Sequence, residues 1–166
     1  PSEIRGDVKA PPSKSMTQRA IAAALLADGE SIIINPSSCD DSVAAMNIAS
    51  GLGAEVKIEP NEFRITGSGK LKEKQLNCGE SGLAIRMFSP IAALNDRDIK
   101  MTGRGSLKNR PMSMIEDALR QFGVSCTSEE GHLPLKIRGP LRGGHCKIDG
   151  SVSSQLLTGL LMALPV

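Results

Sequence analysis

Apolar positions along the chain follow two rhythms. Over residues 14–27, 40–52, 80–94, 110–122 and 152–164 they recur at helical spacing, and each stretch opens on Ser, Asp, Glu or an Arg–Pro pair that suits a first turn. Between these stretches lie short runs rich in alternating or β-branched residues, at 31–35, twice within 54–67, at 98–103, twice within 124–139, and at 146–150. The pattern predicts a mixed α/β (α+β) fold with no membrane span, because the longest apolar runs fall far short of the length needed to cross a bilayer.

The elements repeat. Laid over one another, "DDSVAAMNIASGLGAEVKIEPNEFRITG" and "RPMSMIEDALRQFGVSCTSEEGHLPLKIRG" both read helix, Gly, strand, turn, strand, with Gly53 answering to Gly123 and Gly67 to Gly139. Upstream, Ser15–Leu26 answers to Ser81–Leu94, so the unit is helix, strand, helix, strand, strand with a period of about 70 residues. A third copy starts at 145 and supplies one strand and one helix. The units run over about 10–75, 76–143 and 144–166, the last of them partial. An apolar helix left without the strands of its unit leads to the expectation that the polypeptide continues past Val166.

Composition narrows the chemistry. A chain of 166 residues buries roughly 70 % of its unfolded surface and needs neither metal nor disulfide to fold. With aromatics at 2 %, its core is built from Ala, Leu, Ile, Val and Met. Twenty basic and 18 acidic residues are interleaved to a net charge of +2, which leaves no footprint for nucleic acid or an anionic membrane. Any anion is therefore bound locally. Cys39, Cys78, Cys126 and Cys146 form no CxxC pair and only His132 and His145 accompany them, so neither a zinc site nor a disulfide framework is expected. Reduced cysteines fit a soluble, cytoplasmic protein.

Four stretches carry candidate chemistry. In "PPSKSMTQRA" (11–20) Lys14, Ser15 and Arg19 crowd the start of a helix, where the macrodipole disfavours cations; together with free backbone N–H groups they make a pocket for an anion. In "TGRGSLKNRP" (102–111) Arg104, Lys108 and Arg110 gather before a helix with Pro111 at its first position. "CGESGLAIR" (78–86) places Gly82, which permits close approach of a ligand, at another helix start. "DGSVSSQ" (149–155) offers uncharged donors from Ser153, Ser154 and Gln155, a set that suits a phosphate ester and neighbouring hydroxyls. Ser15, Ser81 and Ser153 or Ser154 are read as helix caps as well. Asp40 and Asp41 are read as an N-cap and a first-turn acid, and His132 and His145 as bystanders.

These four stretches, in this order and spacing, resemble the 5-enolpyruvylshikimate-3-phosphate (EPSP) synthase family across nearly the whole chain. The resemblance implies transfer of the carboxyvinyl group of phosphoenolpyruvate to the 5-hydroxyl of shikimate 3-phosphate, without metal or organic cofactor. It implies two domains, each of three βαβαββ units in a pseudo-threefold array with the active site in the cleft. This chain is then most of one domain, with the second domain and the family's acid/base carboxylates beyond it. It implies that Lys14 and Arg110, the catalytic candidates, grip phosphoenolpyruvate in a pocket lined by Gly82. Ser15 and Arg19 hold the shikimate carboxylate, Ser153 and Ser154 the 3-phosphate, and Gln155 lies between the two substrates. The implied partners are those two small molecules and the missing C-terminal part of the same polypeptide.

Leu83 departs from the family pattern, which has Thr there, and removes one polar contact near the phosphoenolpyruvate pocket. UDP-N-acetylglucosamine enolpyruvyl transferase shares the repeat, but its loop carries a reactive cysteine before the region of Arg110, and no Cys lies between Cys78 and Cys126. A non-catalytic, RNA-associated module of the same repeat is disfavoured by the near-neutral charge and the scarcity of stacking aromatics.

Overall fold

The computed structural model describes residues 3, 5–67, 70–151 and 153–166. Five helices pack into one apolar core with two sheets. They are α1 (Lys14–Leu26), α2 (Asp40–Gly51), α3 (Gly82–Ala92), α4 (Ser113–Gln121) and α5 (Gln155–Ala163). The first sheet holds β1 (Glu30–Ile34), β2 (Glu55–Glu59) and β3 (Glu62–Thr66) in the order β1-β3-β2, antiparallel throughout. The second holds β4 (Gln75–Asn77), β5 (Ile99–Thr102), β6 (Ser125–Glu129) and β7 (His132–Arg138) in the order β4-β5-β7-β6. Here β4 runs parallel to β5, and the other pairs are antiparallel.

The arrangement β1-β3-β2 thus recurs as β5-β7-β6, and the chain from β4 to β7 is one complete βαβαββ unit. The glycines matched by sequence occupy matched places. Gly53 and Gly123 follow α2 and α4 with φ of +123° and +76°, a region that side chains with a Cβ seldom adopt. Gly67 crosses the end of α1, where a Cβ would strike the carbonyl of Leu25, and Gly139 crosses the end of α3, where it would strike the carbonyl of Ala93.

One helix is interior. Every residue of α3 except Arg86 is buried, which the near-continuous apolar run GLAI…MFSPIA allows, whereas α4 keeps a polar outer face and α1 exposes Lys14, Ser15, Met16 and Ala23. Helix α5 comes close against α3: a Cβ on Gly159 would meet the backbone oxygen of Met87.

Several sequence expectations change. The cap of α1 is Ser13, whose hydroxyl accepts from the Met16 amide (3.3 Å), so Ser15 lies inside the first turn. Ser13 then answers to Ser81 with the same offset that relates Leu26 to Leu94, which corrects the alignment through Ser15. The helix expected from 110 starts at Ser113; a 3-10 turn, Gly105–Asn109, precedes it and leaves Pro111 outside. The stretch 146–150 is not a strand, because no neighbouring strand among the described residues offers it a ladder; Gln121 alone bonds the backbone of Lys147, as donor and as acceptor. Conversely β4 is a strand that periodicity missed, since a single apolar Leu76 between polar residues carries no rhythm. The helix expected from 152 is observed from Gln155, and Val152 lies outside the described residues.

Candidate functional site

At the start of α1 the first turn carries no acid. Lys14 is exposed, and its Nζ pairs with Asp41 Oδ2 at 3.0 Å across to α2. The hydrogen bond to Asp41, and then the charge of that carboxylate, hold the Lys14 ammonium above its ordinary pKa. Arg19 folds back so that its Nη1 donates to the Ser15 carbonyl (3.1 Å), which places a guanidinium beside the first turn. Asp40 and Asp41 both lie in the first turn of α2, as expected of first-turn acids, but the cap is Cys39 rather than Asp40; Asp41 also pairs with Lys14, and Asp40 Oδ2 meets Arg104 Nη2 at 3.4 Å.

The start of α3 is built differently. The Ser81 hydroxyl accepts from the Ala84 amide (3.1 Å) and donates to Gln18 Oε1 of α1 (2.8 Å). Gly82 follows, and the space a Cβ would take is filled by Nη1 of Arg110, with Nη1 of Arg86 2.8 Å from the same point. Arg86 Nη1 donates to the Gly82 carbonyl (3.1 Å) and reaches Gln155 Oε1 of α5 at 3.4 Å. Burial first, and the Arg110 charge second, lower the Arg86 pKa. Among the described residues neither guanidinium meets a carboxylate. Arg86 is half-buried and Arg110 exposed, and two like charges side by side without a counter-ion favour an incoming anion.

Arg110 reaches this place because its loop is fastened. The Arg104 amide donates to the Gly79 carbonyl (2.8 Å), the Ser106 amide to Glu80 Oε2 (3.1 Å), and wholly buried Leu107 plugs the 3-10 turn. Gly105 suits the place by its φ of +53°, and a Cβ there would push aside the Glu80 carboxylate that holds the Ser106 amide.

Two bonds therefore bring three helix N-termini together, Gln18–Ser81 joining α1 to α3 and Arg86–Gln155 joining α3 to α5. Each terminus presents orphan N–H groups and about half a positive charge. On this junction the structure gathers Gly82, Arg110 and Gln155, with Lys14, Ser15 and Arg19 on the adjoining turn of α1. Ser154 occupies the cap position of α5 without a side-chain bond, while the Ser153 hydroxyl accepts from the Gln155 amide (3.2 Å). Gln18 Nε2 is buried without a partner among the described residues, which costs about 1–3 kcal/mol. Leu83 is buried in the core cluster and turns no polar group to the site. His132 Nδ1 lies 2.9 Å from the Glu130 carbonyl, and His145 is exposed; neither joins the junction.

Sequence reasoning missed Arg86 and Gln18. Each is a polar residue set in an apolar helical stripe, and that interruption is the signal that could have found it. A cavity of about 410 Å³ lies elsewhere, between Leu25, Asp28, Leu52, Ile91 and Asn95 at the C-terminal ends of α1 and α3, where carbonyl dipoles disfavour an anion. The cysteines are free; burial holds the Cys78 thiol far above its ordinary range and pushes Cys126 up to about 12. No group of three metal-ligating side chains occurs among the described residues.

Residues 1–166 match the family of EPSP synthase (3-phosphoshikimate 1-carboxyvinyltransferase). The chain belongs to the EPSP synthase family. It is 40 % identical over 169 residues to the 3-phosphoshikimate 1-carboxyvinyltransferase of Clostridium perfringens strain SM101, covering 100 % of this chain and 40 % of that protein. It is 42 % identical over 170 residues to the enzyme of that name from Methanocorpusculum labreanum, covering 99 % and 40 %. An EPSP synthase structure from Acinetobacter baumannii superimposes with a TM-score of 0.84 at 29 % identity, covering 95 % of this chain and 37 % of that one. The chain thus spans about 40 % of the length of the curated EPSP synthases it matches.

Proposed function

We propose that the protein carrying this chain transfers the enolpyruvyl group of phosphoenolpyruvate to the 5-hydroxyl of shikimate 3-phosphate, in the shikimate pathway that leads to the aromatic amino acids. The observation that carries this reading is the pair Arg86 and Arg110, which meet no carboxylate among the described residues and flank Gly82 where helix N-termini meet. Both substrates carry a carboxylate and a phosphate, and cations with orphan N–H groups are what such groups need on leaving water. In the reaction a bond forms between the sugar 5-oxygen and C2 of phosphoenolpyruvate. As it forms, the C2–C3 double bond opens and C3 takes up a proton to give a tetrahedral adduct; the bond from C2 to the phosphate oxygen then breaks, C3 gives up a proton to restore the double bond, and the hydroxyl proton leaves with phosphate.

In this reading Arg110 and Lys14 hold phosphoenolpyruvate and stabilise charge on the departing phosphate, with Gly82 leaving room for it. Ser15 and Arg19 take the shikimate carboxylate, Ser153 and Ser154 the 3-phosphate, and Gln155 the space between. Residues 1–166 form most of one domain, in units of about 10–75, 76–143 and 144–166. The groups that move protons at C3 and at the hydroxyl are assigned to the rest of the polypeptide. A cytoplasmic location and competition by glyphosate belong to the same reading; the free cysteines support the first.

The test is phosphate release from phosphoenolpyruvate by the protein that carries this chain. Release that depends on shikimate 3-phosphate is expected, and release without it, or none with it, overturns the reading. Residues 1–166 alone are expected to give no turnover; a rate within about tenfold of the larger protein would place the whole catalytic set in this chain.

A further inference from the structure

Gln18 and Arg86 are the fifth residues of α1 and α3, and each reaches the N-terminus of the first helix of the next unit. Gln18 Oε1 accepts from Ser81 of α3 at 2.8 Å, and Arg86 Nη1 reaches Gln155 of α5 at 3.4 Å. The fifth residue of α5 is Gly159, which has no side chain to extend and lies against the Met87 backbone. The junctions α1–α3 and α3–α5 are therefore tied by the same device.

The α1–α3 tie is the less expected of the two. Gln18 is 0 % exposed, and its Nε2 is, among the described residues, the only buried side-chain nitrogen or oxygen without a partner. Methionine, similar in length and apolar, would fill the same space and remove that orphaned donor; the buried Ser81 hydroxyl would lose its acceptor in exchange, so the two effects come out near even. Stability therefore does not account for the carboxamide, and alignment does. By fixing the Ser81 hydroxyl as donor to α1, Gln18 also turns its lone pair to the Ala84 amide.

We infer that Gln18 is a positioning residue, whose buried carboxamide sets the first turn of α1, with Lys14, Ser15 and Arg19, against the first turn of α3, with Gly82 and Arg110. The inference rests on the reading that two anionic substrates meet at this junction. Misplacement of such turns by about 1 Å is enough to cost some hundredfold in rate.

Gln18→Met and Gln18→Glu in the protein that carries this chain test it. Gln18→Met is expected to melt within about 3 °C of the parent while kcat/KM for phosphoenolpyruvate falls at least about tenfold. Gln18→Glu still accepts from Ser81 but places a carboxylate beside a helix N-terminus, so its rate should recover as pH falls and the carboxylate is protonated, a limb absent from the parent profile. A Gln18→Met variant within about twofold of the parent overturns the inference, as does a loss of rate that appears only with a fall in melting temperature above about 10 °C. If the parent turns over neither substrate, it is the functional reading that fails. The tie is then read from hydrogen exchange at the Ala84 amide, where at least about tenfold faster exchange in Gln18→Met supports it and unchanged exchange overturns it.

Discussion

Helices α1 and α3 start from one plan and reach opposite ends. Each is capped by a serine whose hydroxyl accepts the amide three residues on, and each sends its fifth side chain toward the next unit. Around α1 the turn is open: Lys14 and Ser15 are exposed, and the cations are held by local partners, Asp41 and the Ser15 carbonyl. Around α3 the turn is closed, its cations come from Arg86 and from a fastened loop, and carboxylate partners are missing among the described residues. The difference teaches that a repeated scaffold supplies the helix dipole and the orphan donors, while the acids set beside each turn decide which copy keeps its cations unpaired.

The largest effect that tests this contrast is expected at Gly82. Gly82→Ala in the larger protein displaces the Arg110 and Arg86 guanidinium groups, which are flexible enough to yield without unfolding the chain. One charge-assisted bond is worth about 1.5–3 kcal/mol, so half-saturation by phosphoenolpyruvate should rise some ten- to hundredfold. Half-saturation by shikimate 3-phosphate should hardly change. Steady-state titration of each substrate checks it, and equal weakening of both would erase the distinction between the two turns.

The caps should differ as the turns do. Ser81→Ala removes a buried hydroxyl that bonds twice and should cost about 2 kcal/mol, whereas Ser13→Ala removes an exposed single bond of 3.3 Å and should cost about 0.5 kcal/mol. Urea unfolding of both variants measures this. Equal losses would mean that capping alone, without the Gln18 link, accounts for Ser81.

The smallest effect is at Asp41. Asp41→Asn removes the partner of an exposed lysine and should cost less than about 1 kcal/mol near neutral pH. The Lys14 pKa is raised in the folded chain, so the pair stabilises fully below the ordinary value of 10.5, and that contribution fades as pH climbs through the raised value. The parent and Asp41→Asn should accordingly converge in stability above pH 10.5, and a gap that persists there would assign Asp41 a role other than holding Lys14.

Much of this scaffold was readable before any coordinates. Long periodic stretches fixed all five helices to within a few residues, and the glycine correspondences held because φ and backbone approach exclude other residues at those points. The serine–lysine–serine run was ambiguous, since two hydroxyls two residues apart both satisfy the rule for a cap and only the path of the backbone separates them. Strand 146–150 failed for a non-local reason: strandedness needs a partner, and pairing is not a property of five residues. Arg86 and Gln18 were hidden because periodicity weighs apolar positions and passes over a polar residue among them. Their meaning came from what faces them, Gln155 in one case and Ser81 in the other.

Each sheet is drawn from an uninterrupted stretch of chain, residues 30–66 and 75–138, so their contacts can form locally, whereas the Gln18–Ser81 bond joins residues 63 positions apart. Loop closure must precede such a contact, and late contacts belong to the native side of the folding barrier. The junction that carries the cations is therefore expected to assemble after the sheets that support it and to open before them on unfolding, an order that folding and unfolding rates of variants at Gln18 and in β3 or β7 would check. Substitutions there act on the unfolding rate, while those in β3 or β7 slow folding itself.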